Sequence, residues 1–196
     1  MDRRSNNIAI FQDSMDMIKA SQKLQQAVQL SIQNQKLYVP SQAIALPESG
    51  KSPCKTIVSS KRSFEAASAY AKARKRVCVL NFASATNPGG GVTRGSTAQE
   101  ECLCRCSTLY PCLDTETMWH QFYQPHRKAG DPRYNDDLLY TPEVVVFKTD
   151  TSAPERMEEK DWYQVDIITC AAPNLRKKPS NAMNPSAGNA PVKISE

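Results

Sequence analysis

Apolar positions divide the chain into stretches of helical and strand-like period. Met15, Ile18, Leu24, Ala27 and Leu30 recur at three-to-six spacing, and no glycine or proline interrupts them, which predicts a helix over 12–36. Pro40 and Pro47 close that segment. Thr56-Ile-Val-Ser59 reads as a short strand. Ser63 is placed to cap a helix from Phe64 to about Arg74, with Glu65 in its first turn and Lys and Arg at its end. Val77-Cys-Val-Leu-Asn-Phe82 has the unbroken, β-branched character of a buried strand. A helical pattern resumes over 98–110 with Leu103, Cys106 and Leu109 inward, and a shorter helix capped by Asp114 follows to about Tyr123. Gln124 to Tyr140 is polar, contains Pro and Gly, and reads as a loop. Val144–Phe147 and Val165–Thr169 read as strands. Helices alternating with apolar strands predict an α/β layered domain. Lys177 to Glu196 has three prolines and no apolar period, and is expected to be an irregular or disordered tail.

A chain of 196 residues, 40% apolar and 23% charged, is sized and composed for one globular domain. It has no apolar run of membrane-spanning length. Met1-Asp-Arg-Arg-Ser-Asn-Asn7 leads into a polar segment without the apolar core of a secretory signal, so the expected location is the cytoplasm. Seven cysteines, an odd number, favour reduced thiols over a disulfide framework. Cys102, Cys104 and Cys106 raise a metal reading. On a helix, Cys102 and Cys106 share a face and Cys104 does not, so packing is favoured and no metal or cofactor is expected. The net charge is +5, with basic clusters at Lys72–Arg76 and Arg176–Lys178. Such clusters are usually solvated surface, and general nucleic-acid binding is the weaker reading of them. His120 and His126 lie in polar surroundings and read as solvated or structural.

The chemistry concentrates in one place. The strand ending at Phe82 runs into a loop with Gly89, Gly90 and Gly91, and after a seven-residue spacer, Val92–Ala98, comes Gln99-Glu100-Glu101. Three glycines in a row allow positive φ and close approach to a ligand, and amides there can converge on an anion ahead of a helix N-terminus. The loop matches neither the Walker A nor the dinucleotide-binding pattern. A plain glycine turn and a dipole-stabilised acidic pair remain the alternatives. Two carboxylates beside an anion cradle repel each other, which raises the pKa of one of them. A carboxylic acid held protonated near neutral pH suits cleavage of a glycosidic bond.

The stretch Leu80-Asn-Phe-Ala-Ser-Ala-Thr-Asn-Pro-Gly-Gly-Gly-Val-Thr-Arg-Gly-Ser-Thr-Ala-Gln-Glu-Glu-Cys-Leu-Cys-Arg-Cys-Ser-Thr-Leu-Tyr110 strongly resembles the microbial-type poly(ADP-ribose) glycohydrolases. Lys36–Pro40, Tyr140–Phe147 and Val165–Asn174 agree with the same family, and the resemblance covers roughly residues 8–176. It implies a macrodomain-like, three-layer α/β/α fold with a mixed central sheet. It implies a catalytic domain over residues 1–176, with the tail at 177–196. Glu101 would be the acid/base that protonates the leaving oxygen of the ribose–ribose bond, and Glu100 would position ribose hydroxyls. Asn87, Gly89, Gly90, Gly91 and Val92 would bind the distal ribose and diphosphate, with Gln99 supporting the pair. The implied partners are ADP-ribose, poly(ADP-ribose) and ADP-ribosylated proteins, with no membrane.

The family also carries a second Gly-rich loop after the strand that ends in Ala-Ala-Pro-Asn. Gly188 is the only glycine beyond Gly130 here, so the fold is expected to be incomplete at its C-terminus, with an exposed sheet edge that promotes self-association. Two functions follow: a hydrolase releasing ADP-ribose, or a catalytically weak or inactive ADP-ribose-binding or scaffold module lacking that loop.

Overall fold

The computed structural model describes residues 2–42 and 54–174. Pro47 and the tail at 177–196 lie outside them. The chain opens on helix α1, Arg3–Ala20, which starts well upstream of the apolar period because the Asp2 carboxylate caps it, accepting from the Arg4 and Ser5 amides. Its first turns are polar because they lie on polar chain. Arg4 Nε donates to Arg94 O at 2.7 Å, and Asn7 Nδ2 donates to Gly95 O at 3.0 Å. The helix expected over 12–36 is broken at Ser21, which is extended and whose hydroxyl caps α2, Gln22–Gln33. Lys36–Tyr38 is a short strand, β1.

Thr56–Ser59 is not a strand; Ile57 and Val58 are exposed, and no described residue pairs with them. Helix α3, Ser63–Lys72, takes Arg62 as its N-cap instead of Ser63. The Phe64 amide donates to buried Asp150 at 3.0 Å, so the cap comes from another part of the chain. Strand β2, Cys78–Ala83, leads through the glycine loop and a 3-10 turn, Val92–Arg94, to α4, Gln99–Cys106. Ser107 is extended and bridges Val146, which separates α4 from α5, Leu109–Leu113.

The expected loop from Gln124 is helical at its start. Helix α6, Glu116–Met118, continues through a π turn, Trp119–Tyr123, into α7, Gln124–Ala129. Pro125 is the second residue of α7, in the first turn of a helical segment, where a missing N–H costs little. Thr115 caps this run by accepting from the Met118 amide, while Asp114 instead receives the Tyr110 hydroxyl and Trp119 Nε1. Strands β3, Leu138–Val146, and β4, Tyr163–Ala171, complete the fold.

The sheet order is β1-β3-β4-β2, antiparallel except for the parallel β4–β2 pair. Mixed pairing fits the α/β expectation. One face carries Leu139, Val165, Ile167 and Val79, which join Phe11, Phe64, Leu103 and Phe122 from the helices in the main core. On the other face, Leu80 is paired with Ile168 and Phe82 with Cys170. Leu80 is 45% exposed and Phe82 61%, so β2 is not buried throughout, and the described helices leave this side uncovered. All seven cysteines are free. Cys104 and Cys106 are both fully buried and only Cys102 is partly exposed, because α4 is enclosed on nearly every side.

Candidate active site

Strand β2 ends where α4 begins, and Gln99 ties the two together. Its side chain accepts from the Phe82 amide at 2.8 Å and donates to Leu80 O at 2.7 Å, pairing with the free edge of β2 as a neighbouring strand would. The same amide nitrogen reaches Ser63 Oγ at 3.1 Å. Gln99 therefore fixes the helix start that carries both acidic residues.

Glu100 and Glu101 are buried in the first turn of α4. Glu100 accepts from the Ser84 amide at 2.8 Å and lies 3.4 Å from Asn81 Nδ2. Burial pushes its carboxyl up to about 8, against the pull of the Ser84 and Asn81 donors, and the charge of Glu101 adds to the rise. Glu101 accepts from the Gly91 amide at 2.8 Å through Oε1, while Oε2 is buried and has no hydrogen-bond partner among the described residues. Asn81 Oδ1 and the Tyr123 hydroxyl are unpartnered in the same way.

The glycines explain how two carboxylates are held here. Gly89 and Gly90 have φ of +62° and +60°, the left-handed region that side chains avoid. A Cβ on Gly90 would stand 2.6 Å from Glu101 Oε1 and 3.0 Å from Glu100 Oε2. Gly91 has ordinary φ, but a Cβ there would collide with Ser96 Oγ. The glycine run predicts amides converging on a ligand anion. Instead the Gly90 amide donates to Asn87 O, while those of Gly89 and Gly91 serve Glu100 and Glu101. The anions this loop cradles are the protein's own carboxylates, pressed against a backbone that has no side chains in the way.

Asn87 sits at the loop rim, where its Nδ2 donates to Thr86 Oγ1 at 3.1 Å. The Asn87 Oδ1 accepts from Arg127 Nη2 at 2.5 Å, and Arg127 Nε donates to Thr86 O at 2.6 Å. The guanidinium also lies 4.7 Å from the Trp119 ring centroid. Sequence reasoning misses Arg127 because it treats that stretch as loop. The signal available was Pro125 and Gly130 bracketing a basic run, the marks of a short helix. Val92 does not face the site with its side chain; it is fully buried in the core. His126 is structural, bonded to Phe122 O and Asn135 Oδ1, and His120 is exposed.

The sequence matches the family model "Microbial-type PARG, catalytic domain" over residues 9–149. Among solved structures, the poly(ADP-ribose) glycohydrolase of Thermomonospora curvata is 30% identical with a TM-score of 0.72, the match covering 87% of this chain and 65% of that one. The same protein bound to the inhibitor ADP-HPD matches at 29% identity and a TM-score of 0.65, over 87% of this chain and 64% of that one. The Deinococcus radiodurans poly(ADP-ribose) glycohydrolase in complex with ADP-ribose is 32% identical with a TM-score of 0.62, over 76% of this chain and 58% of that one. This chain spans less than two thirds of the length of each of these structures. No curated protein matches it.

Proposed function

This chain belongs to the microbial-type poly(ADP-ribose) glycohydrolase catalytic-domain family, and we propose that it hydrolyses the ribose–ribose O-glycosidic bond of poly(ADP-ribose) to release ADP-ribose. The observation that carries this reading is the pair of buried glutamates packed on left-handed glycines, with one carboxylate oxygen, Glu101 Oε2, left unpartnered. A buried oxygen without a partner at the edge of an open loop suits proton transfer to a leaving group. Glu101 is the acid that protonates the glycosidic oxygen as the bond to the anomeric carbon breaks. The ribose passes through an oxocarbenium-like state, and Glu101 then takes a proton from the water that adds. Glu100, neutral below about pH 8, places no second negative charge beside the diphosphate and can both donate to and accept from ribose hydroxyls. Asn87 binds the same ribose, and Gln99 holds the helix start in place. Gly89, Gly90 and Gly91 let the ribose and diphosphate approach the backbone, to which Val92 contributes only its main chain.

The catalytic domain takes in residues 1–176 in this reading, and its substrates include the ADP-ribose chains on modified proteins. Seven free thiols support a cytoplasmic setting. No helix among the described residues is long and apolar enough to cross a membrane. Self-association runs through the β2 side of the sheet, where Leu80 and Phe82 are exposed.

Incubation with purified poly(ADP-ribose) tests the assignment. Wild type is expected to release ADP-ribose, and Glu101→Gln to slow release roughly 10²–10⁴-fold, the usual worth of a general acid. Equal release by the two proteins would reject hydrolysis at this site. The second reading is a non-catalytic ADP-ribose-binding or scaffold module. It predicts instead that ADP-ribose binds in a calorimetric titration while neither protein turns the polymer over.

A further inference from the structure

A cleft of about 960 Å³ lies away from the glycine loop. It lies beyond the opposite end of β2, against Arg76 and Val77, with β3 and β4 as its floor. Six residues of strand at about 3.3 Å each put roughly 20 Å between it and the glutamates. Six cations line it against three carboxylates. Arg76 is held by Asp166 at 2.9 Å and lies 3.4 Å from the Tyr140 hydroxyl. Lys36, Arg74 and Lys75 are exposed and have no charged or hydrogen-bonding side-chain partner among the described residues.

The backbone around the cleft is strained. Three described residues other than glycine have positive φ, and two of them line this cleft: Arg74 at +57° and Glu143 at +55°. Arg74 follows the C-cap of α3, where glycine is the usual residue. Glu143 sits in the β3 bulge, its amide bound to Asp166 Oδ1 at 3.1 Å. Strain of this kind gathers where a side chain is needed in place.

Resting on the function proposed above, we infer that this cleft is a second binding site, for the pyrophosphate-linked chain of poly(ADP-ribose) away from the end that is cut. Free lysine and arginine charges suit pyrophosphates spaced along a polymer. A single strand of RNA or DNA would want free aromatic faces for its bases. Here Tyr163 and Trp162 are packed against the two apolar clusters, Lys23 Nζ lies 5.7 Å from the Trp162 ring centroid, and the Tyr140 hydroxyl is tied to Asp166, so these rings are held in the wall. The site gives polymer an anchor that a monomer cannot use.

Binding by the full chain carrying Glu101→Gln, which keeps polymer intact, tests the inference with labelled poly(ADP-ribose) and with monomeric ADP-ribose. Adding Lys36→Glu, Arg74→Glu and Lys75→Glu is expected to weaken polymer binding at least tenfold and leave monomer binding within twofold. The slope of log K against log salt should flatten by about two, since each phosphate that is no longer neutralised takes about 0.7 from it. Arg74→Gly guards against a folding artefact: it removes one cation while relieving the strained φ, so it should raise Tm and still weaken polymer binding. Polymer binding unchanged by these substitutions, with monomer still bound, overturns the second site and leaves the hydrolase reading standing. A chain that binds neither polymer nor monomer overturns both. Single-stranded RNA of equal length bound as tightly as polymer, and as dependent on the three cations, overturns the choice of ligand.

Discussion

Glu100 holds a proton that the unfolded chain would have lost. Its carboxyl rises from 4.5 to about 8, chiefly through burial. Between those two values the folded protein binds the proton and the unfolded protein does not, so this residue makes stability fall as pH rises, with the full penalty present above about 8. At 1.36 kcal/mol per unit the penalty is about 5 kcal/mol. Glu100→Gln carries no titrating proton and escapes it. The Tm difference between Glu100→Gln and wild type is expected to be small near pH 4.5 and to grow steadily to pH 9; an unchanging difference would mean that Glu100 is not held neutral. The same ionisation is expected to lower hydrolysis above about pH 8. The acidic pair and the glycines were legible in the sequence because they lie within one short stretch. That the Glu100 carboxyl holds a proton was not legible, since it depends on how deeply that side chain is buried. Arg127 was hidden for a different reason: it meets Asn87 across 40 positions of chain.

Elements with a strong internal period were readable, and their ends were not. Strands β2 and β4 and the acidic start of α4 announce themselves through apolar runs and spacing. The break at Ser21 does not, because the apolar period runs through it and only the local cap, a hydroxyl on the Leu24 amide, ends one helix and begins another. Helix α3 shows why caps resist prediction. Its first turn is served by Asp150, 86 positions away from Phe64. Asp150 also stands 3.6 Å from Arg62. Removing it leaves the buried Phe64 amide without its acceptor and Arg62 without its ion-pair partner, so Asp150→Ala is expected to cost about 1–3 kcal/mol. Asp150→Asn, which keeps an acceptor oxygen, should recover part of that. Urea unfolding measures both, and equal midpoints for wild type and Asp150→Ala would rule out the cap.

At the scale of the whole molecule, an α/β domain with a mixed sheet was readable from alternating helices and strands. The strand order was not, because β2 pairs only with a strand far along the chain. The exposed face of β2 has a further effect. Gln99 occupies the backbone groups of Leu80 and Phe82 on the edge that no described strand pairs, so the self-association proposed above would draw on apolar surface more than on strand pairing. Sedimentation velocity at tens of micromolar should show wild type associating and the double variant Leu80→Lys, Phe82→Lys monomeric. Both positions are surface, so stability should shift by only about 0.5 kcal/mol. Association that survives both lysines would place the contact elsewhere.

The sheet order also sets a clock. Cys78 pairs with Asp166, so the strand that leads into the glycine loop gains its hydrogen-bonded partner among the described strands only after 88 further residues have been made. At about 5–20 residues per second, that is roughly 4 to 18 seconds of synthesis. For that interval a nascent Val-Cys-Val-Leu-Asn-Phe segment waits without its neighbour, a natural client for a ribosome-bound chaperone. The delay before β4 arrives is thus the interval in which this apolar strand is exposed during synthesis.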